Sequence, residues 1–452
     1  MKKTLFEKEI ELFDAYDVIV AGGGPAGCAA AASSAREGAK TLLIEGSGML
    51  GGMGTGGLVP SWCPFWDKEK IIYRGMAEKI LNETKKYSSH IMPQDLEWVP
   101  IDAEVLKRVY DQFVKEYGVD ILFNTQLSAV NSKVRGYVDS IVVSNKKGLT
   151  AYSAKSFVDC TGDADLAAFA GAQFEMGAND GKLMPATMCF VISNVDEYAY
   201  RFDSQNGLNY GSLLPANPKS AIHKITADPK YNLITDTHLC QQIIGPKTVG
   251  FNAGHIFNVD GTDPVSISKA MIYGRELVHQ LHEGLKEYFP TAFANSILVS
   301  SAPMMGIREG RRIIGDYRMT VDDYLQKRSF DDEISRNSYY IDLHLTQAEI
   351  KETLNNGISR EQINRRYKLG ESHGIPYRSL VPKDLNNVIV AGRSISCDRQ
   401  IQGSIRTMPN CLCTGEAAGM AAAMSAKSGK NFHETDIKEL RKKLKEHGAY
   451  FL

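Results

Sequence analysis

No two cysteines in this chain have C-x-x-C spacing, although eight are present: Cys28, Cys63, Cys160, Cys189, Cys240, Cys397, Cys411 and Cys413. That absence argues against dithiol redox chemistry and common zinc motifs. It leaves Cys411 and Cys413 as the one close pair, with no ligand cluster beside them. Eight reduced, mostly buried thiols and no metal site are expected. An excess of charge is missing too: 52 Lys and Arg face 53 Asp and Glu. No basic surplus marks a nucleic-acid partner, and no acidic block marks a disordered tail. No run of about 18 apolar residues occurs, so no membrane span is expected. Residues 1–11 are charged and have no apolar centre, unlike a signal peptide, so a cytoplasmic location is expected.

The informative stretch is the first fifty residues. An apolar run, 18–20, leads into Gly22, Gly24 and Gly27 in G-x-G-x-x-G spacing, with Pro25 and Ala26 between the last two. A small-residue helix over 28–37 follows, and Gly38 is placed to end it. A second apolar run, 41–44, stops at Glu45, about twenty residues past the glycines, as a dinucleotide fingerprint requires. The first glycine allows the tight turn, the second lets a pyrophosphate approach the backbone, and the third lets helix and strand pack closely. The helix N-terminus offers unpaired N–H groups and a positive dipole end. Glu45 can accept from both ribose hydroxyls and would repel a 2′-phosphate. No second fingerprint exists, so one dinucleotide site is expected.

Further along, Gly51, Gly52 and Thr55 belong to a glycine cluster that must be a loop. A helix is expected over 102–117, ended by Gly118, and a strand over 119–123. Strands at 138–143 and 150–152 suggest a meander before a strand at 157–159. That strand runs into Thr161-Gly162-Asp163 and a helix over 166–170. From 171 to about 375 the pattern shifts to mixed strands (187–192), a long polar loop (204–228) and a helix (268–288). A buried strand at 385–391 then closes on Gly392-Arg393, followed by helices over 408–427 and 436–447. Gly415, Ala417, Ala418 and Gly419 give the first of these a smooth packing face. The fold expected is α/β: a Rossmann-like domain with a mostly parallel sheet, formed by 1–170 and 376–452, and an inserted α+β substrate domain, 171–375.

These motifs together resemble the FAD-dependent oxidoreductases of the glutathione-reductase-type two-domain fold, in the branch with fumarate reductase flavoproteins and glucose-inhibited-division-like proteins. The carriers include Gly22 to Gly27 with Glu45, Gly51-Gly52-Met53-Gly54-Thr55, Asp159 to Asp165, Gly306-Ile307-Arg308-Glu309, Ile375 to Leu380, Ala391-Gly392-Arg393 and Thr414 to Gly419. The resemblance covers about 16–425 and implies FAD over NAD. It also implies that Gly162, Asp163, Gly392 and Arg393 touch the cofactor, that the strand after Gly118 runs near the adenine, and that the helix start near Met408 to Cys411 faces the flavin. Arg406 adds a full charge there. The missing C-x-x-C and second nucleotide fold argue against chemistry like that of glutathione reductase.

Flavin oxidoreduction moves a hydride at N5 while a protein group handles a proton. The candidates are His255, after Gly254 in an apparent loop; His344, sharing a face with Asp342 and Tyr340 if 339–344 is a strand; and Arg308, beside Arg311 and Arg312, as a bidentate carboxylate clamp. Each has a structural alternative: hydrogen-bonded core histidines, or arginines in interdomain ion pairs. The expected function is hydride transfer between flavin and a small organic substrate, with NAD(P)H one candidate electron partner and no nucleic acid or membrane. A tRNA-modifying flavoprotein, or a nucleotide-binding protein without redox turnover, are the alternatives. The substrate, oligomeric state and flavin attachment stay open.

Overall fold

The structure, a computed structural model, describes residues 7–178, 180–202, 213–356 and 364–452. The start of the polar loop expected at 204–228 lies outside them; its end holds a short helix, Ala221–Ala227, capped by Ser220. The N-terminal fingerprint is β1 (Val18–Ala21), α1 (Pro25–Arg36) and β2 (Thr41–Ile44). Gly38 leaves α1 with φ +88°, a conformation that favours glycine. Next come α2 (Ala103–Glu116), capped by Asp102, and β3 (Asp120–Leu122). The meander at Gln126–Asn131, Ser140–Asn145 and Gly148–Ser153 forms a separate sheet, to which Leu12–Asp14 adds a parallel edge.

The main sheet adds β4 (Ser156–Asp159), in the middle of the chain. The second unit is an antiparallel sheet of β5 (Phe190–Ser193), β6 (Leu239–Gly245) and β7 (Thr248–Ala253), with helix α3 (Pro264–Tyr288) and edge strand β8 (Ile297–Ser301). The chain then returns through β9 (Val388–Val390), α4 (Arg399–Ile405) and α5 (Met408–Ser428). The main sheet runs β9-β4-β1-β2-β3, all parallel. This is the expected α/β class with a parallel sheet.

Side chains of β1 alternate between two cores. Val18 and Val20 join the cluster holding α1 and α5, whereas Ile19 and Ala21 join one on the opposite face. Burial on both faces explains the unbroken apolar runs of these strands. The smooth face expected on α5 packs on α1: a Cβ on Gly415 would lie 2.1 Å from the Ala26 carbonyl oxygen, and one on Gly419 2.0 Å from that of Ala30. Only glycine permits this approach.

The segment expected as one inserted domain, 171–375, divides between cores. Ala186 to Met305 build their own cluster, while Met319, Tyr324, Ile334, Ile341, Tyr367 and Ile375 pack into the main one. The strand imagined over 339–344 does not form. The carbonyls there bond side chains beside α4 instead of a strand: Tyr339 O accepts from Ser404 Oγ at 2.5 Å, and Asp342 O from Arg406 at 3.1 Å. No helix among the described residues is long and apolar enough to cross a membrane.

Candidate functional site

At the carboxyl ends of β1, β2, β4 and β9 lies a cavity of about 580 Å³, where open α/β sheets take ligands. Its walls include Gly22, Gly24, Pro25, Ala26, Glu45, Gly52, Gly162, Asp163, Gly392, Arg393 and Arg406. Gly24 has open space where a Cβ would stand, so a ligand can approach the backbone. Gly27 faces inward, and a Cβ there would lie 1.7 Å from the Gly22 oxygen. Gly51 and Thr55 do not line the cavity. Thr55 is buried and donates to Leu50 O at 2.6 Å, so these two shape the loop that carries Gly52 and Met53 to the wall.

Glu45 is fixed by two backbone donors, Gly23 N and Ser47 N, both at 2.7 Å. Each oxygen keeps a lone pair for a ribose hydroxyl. The Thr-Gly-Asp turn is built on Asp159, whose buried carboxylate accepts from Thr161 N, Thr161 Oγ1 and Ala167 N. Burial raises it to about 6. Asp163 then meets Arg393 through two contacts of 3.1 Å, joining the ends of β4 and β9. Arg311 braces the same turn through Asp165 and the Asp163 carbonyl, while Arg312 pairs with buried Glu309. Neither arginine of this pair lines the cavity.

A second cavity of about 200 Å³ adjoins the first. Met53, Ile307, Arg393, Arg406 and Met408 line both. The N-terminus of α5, with Met408 and Cys411 at the larger cavity and Met408 at both, therefore faces the junction. Three buried polar atoms at this junction have no protein partner: Nε of Arg393, Nε of Arg406 and Oγ1 of Thr407. Donors left this way mark a place for ligand atoms. With the glycine cradle and Glu45, they fit the donor set that a dinucleotide would need.

The inner cavity is lined by His238, Asn252, Arg308, Asp342, His344 and Arg406, among others. Arg308 does not present the bidentate fork expected of it. Its Nη1 donates to Pro185 O and Thr187 Oγ1, both at 2.8 Å, and its Nη2 to Asn252 Oδ1 at 3.1 Å and His238 Nε2 at 3.4 Å. All four terminal N–H groups are engaged, so it acts on a ligand through charge. Burial, then Arg406, lowers it to about 10. Arg406 donates to Asp342 Oδ2 at 3.2 Å and keeps its Nε for a ligand.

His344 faces this cavity; His255 stands behind it, on an outer cavity. Asp342 lies 3.4 Å from His344 Nε2, His344 Nδ1 lies 2.8 Å from His255 Nε2, and Asp236 lies 3.0 Å from His255 Nδ1. Burial, then Arg308, pushes His344 well below its ordinary value, so it is neutral. Burial alone would raise Asp342, but the hydrogen bond to His344 and the charges of Arg406 and Arg308 outweigh it and hold the carboxyl well below the usual range. His238 stacks on His255 with ring centroids 4.0 Å apart.

Sequence reasoning missed Asp236, His238, Asn252 and Thr407. The pattern Asp236-Thr237-His238 repeats the spacing of Asp342-Leu343-His344 and was the available signal. Among the aromatics, Trp62 is buried against Phe65, and Trp98 lines the inner cavity. Cys63 also lines it, with its thiol pushed up to about 12 by burial, and none of the eight cysteines is disulfide-bonded.

A family model described as FAD dependent oxidoreductase matches residues 17–444. Digeranylgeranylglycerophospholipid reductase of Methanocaldococcus jannaschii is 58% identical over 41 residues, and dihydrolipoyl dehydrogenase of Trypanosoma brucei brucei 46% identical over 48. Those stretches span 9% and 11% of this chain and 10% of each curated relative. A geranylgeranyl bacteriochlorophyll reductase-like protein of Thermoplasma acidophilum aligns over 97% of this chain and 85% of its own, at 14% identity and a TM-score of 0.46. For p-nitrophenol 4-monooxygenase PnpA of Pseudomonas putida DLL-E4 the figures are 97%, 87%, 11% and 0.44.

Proposed function

The chain belongs to the FAD dependent oxidoreductase family, and on that footing we propose that it moves a hydride between flavin N5 and a small organic substrate held in the inner cavity. The observation that carries this reading is the wall shared by the two cavities. Bound FAD would supply the ring that gives or takes the hydride. The chain's own residues bind, orient and neutralise. Arg393, Arg406 and Thr407 meet ligand atoms at the junction, and the positive end of α5 stabilises negative charge developing there. His344, paired with the Asp342 carboxylate at the inner wall, exchanges the substrate's proton.

The charge balance of the inner cavity narrows the substrate. Arg308 is 7% exposed and bonds only neutral acceptors, while Arg406 and Asp342 offset each other. A buried cation without a counter-charge is costly, so a substrate bearing a carboxylate or similar anion completes the site. This reading places the FAD-binding part in 1–170 and 376–452 and the substrate part in 171–375. The finer kinship with the two-domain glutathione-reductase type belongs to the same proposal.

The test is anaerobic mixing of the yellow, FAD-loaded protein with hydroxy acids, amino acids, neutral alcohols, amines, NADH and NADPH. Bleaching of the visible flavin band by an anionic member, more strongly than by its neutral analogue, is expected. A flavin that every compound leaves oxidised, or one bleached equally by neutral analogues, overturns the assignment.

A further inference from the structure

We propose that Asp236, His255, His344 and Asp342 form a proton relay that joins the inner cavity to the outer one, an inference that rests on the inner cavity being the site of hydride transfer. The chain of contacts is continuous: 3.0 Å from Asp236 to His255, 2.8 Å from His255 to His344 and 3.4 Å from His344 to Asp342. Its ends open on different spaces. Asp342 and His344 line the inner cavity, whereas His255 lines an outer cavity of about 330 Å³ with Thr235, Lys269 and Tyr273. The Asp236 side chain is 25% exposed, against 17% for Asp342 and 6% for His344, so the Asp236 end has the greater access to water.

Counting hydrogens shows why this arrangement conducts. Three links need three hydrogens, the two carboxylates bring none, and each neutral imidazole brings one. One link is therefore short of a hydrogen, at the Asp342 end or the Asp236 end. A substrate proton arriving at His344 Nε2 fills the first gap. The Nδ1 proton of His344 then passes to His255 Nε2, and the Nδ1 proton of His255 passes to Asp236 and on to water. One proton crosses, no electrons move, and the vacancy ends at Asp236. The reverse sequence delivers a proton for reduction.

The surroundings favour transit over storage. Burial, then Arg308, disfavours an imidazolium at His344, so a proton is not trapped there. At the other end Asp236 stays ionised: burial opposes this, and His255 outweighs it. Tyr273 faces Asp236, and His238 packs on both relay imidazoles. The three imidazoles His238, His255 and His344 also place ligand-type atoms within 4.8 Å of one another. Against a metal there, the Arg308 guanidinium lies 3.4 Å from His238 Nε2 and would repel the ion.

The experiment uses the FAD-loaded protein, photoreduced without oxygen and then reoxidised by ferricyanide, with a pH-indicator dye following the released proton. In the unaltered protein the proton reaches solution in step with reoxidation. In His255→Gln proton release should lag flavin reoxidation by about tenfold or more, and added imidazole should remove the lag in His255→Gly. Nitrogen-15 NMR of labelled histidines, on protein without FAD, gives a second reading: Asp236→Asn should change which nitrogen of His344 carries its proton. Proton release without lag in folded His255→Gln, or an unchanged His344 tautomer in Asp236→Asn, overturns the relay. So does one tightly held metal ion per chain that is lost in His255→Gln. Protein that takes up no flavin would instead sink the functional assignment, and the NMR arm would still read the relay.

Discussion

Replacing Glu45 by alanine tests the dinucleotide site at its most specific residue. Glu45 Oε2 accepts from Gly23 N and Oε1 from Ser47 N, so one carboxylate ties the glycine turn of β1 to the loop after β2. Hydrogen bonds to a charged group contribute about 1.5–3 kcal/mol each. With water free to replace part of them at this half-buried site, and with the ribose acceptor also gone, FAD binding should weaken by about 1–3 kcal/mol, or roughly 5- to 150-fold in Kd. The assay is titration of flavin-free protein with FAD, read by quenching of flavin fluorescence, beside thermal melting of the flavin-free variant. Glu45→Gln separates the contributions: it keeps one acceptor oxygen but sets an amide N–H against a backbone N–H, so its Kd should fall between the two. Affinity unchanged in Glu45→Ala would mean that the ribose end lies elsewhere and would refute the assignment of this cavity's polarity.

Gly419→Ala would drive a methyl to 2.0 Å from the Ala30 carbonyl oxygen and force α5 away from α1. It should cost about 1–3 kcal/mol and lower Tm by several degrees, whereas Gly118→Asn, at positive φ in open space, should cost less. Burial, then Arg336, lowers His373 to about 3. Between that value and the ordinary 6.5 the folded chain binds fewer protons than the unfolded one, so this contribution is present above pH 6.5 and is lost as pH falls through the window. Tm measured from pH 7 to pH 5 should therefore decline less steeply in His373→Asn. Arg308→Lys keeps the charge but has three donors for four acceptors, so Tm should drop while bound FAD stays stoichiometric; lost FAD would place Arg308 on the cofactor.

The dinucleotide half was legible because its signals are local and each has one physical meaning. Gly22, Gly24, Gly27 and Glu45 lie within one strand–helix–strand unit, where spacing dictates what can touch. The packing of Gly415 and Gly419 on α1 was legible for a similar reason, since small residues on one helical face leave only close approach as their use. The inner cavity was not legible, because its chemistry is assembled across the chain. Asp236 and His255 are 19 positions apart, and His255 and His344 are 89 apart. Local spacing is only half right: Asp236 Oδ1 accepts from His238 N at 2.8 Å, yet Asp236 Oδ2 meets the His255 ring, and His238 Nε2 accepts from Arg308. The strand expected at 339–344 fails on the same ground, because Ser404 and Arg406 take the carbonyls a neighbouring strand would need. Those competing donors do more than break the strand. By binding Asp342 through both its carbonyl and its carboxylate, Arg406 fixes the inner end of the histidine chain beside the wall shared with the dinucleotide cavity. Loss of Arg406 should therefore disturb proton transfer as well as ligand binding. Arg406→Gln, assayed by the indicator dye, should show proton release uncoupled from flavin reoxidation even at saturating FAD. Release still in step with reoxidation there would mean that the position of Asp342 does not depend on this arginine.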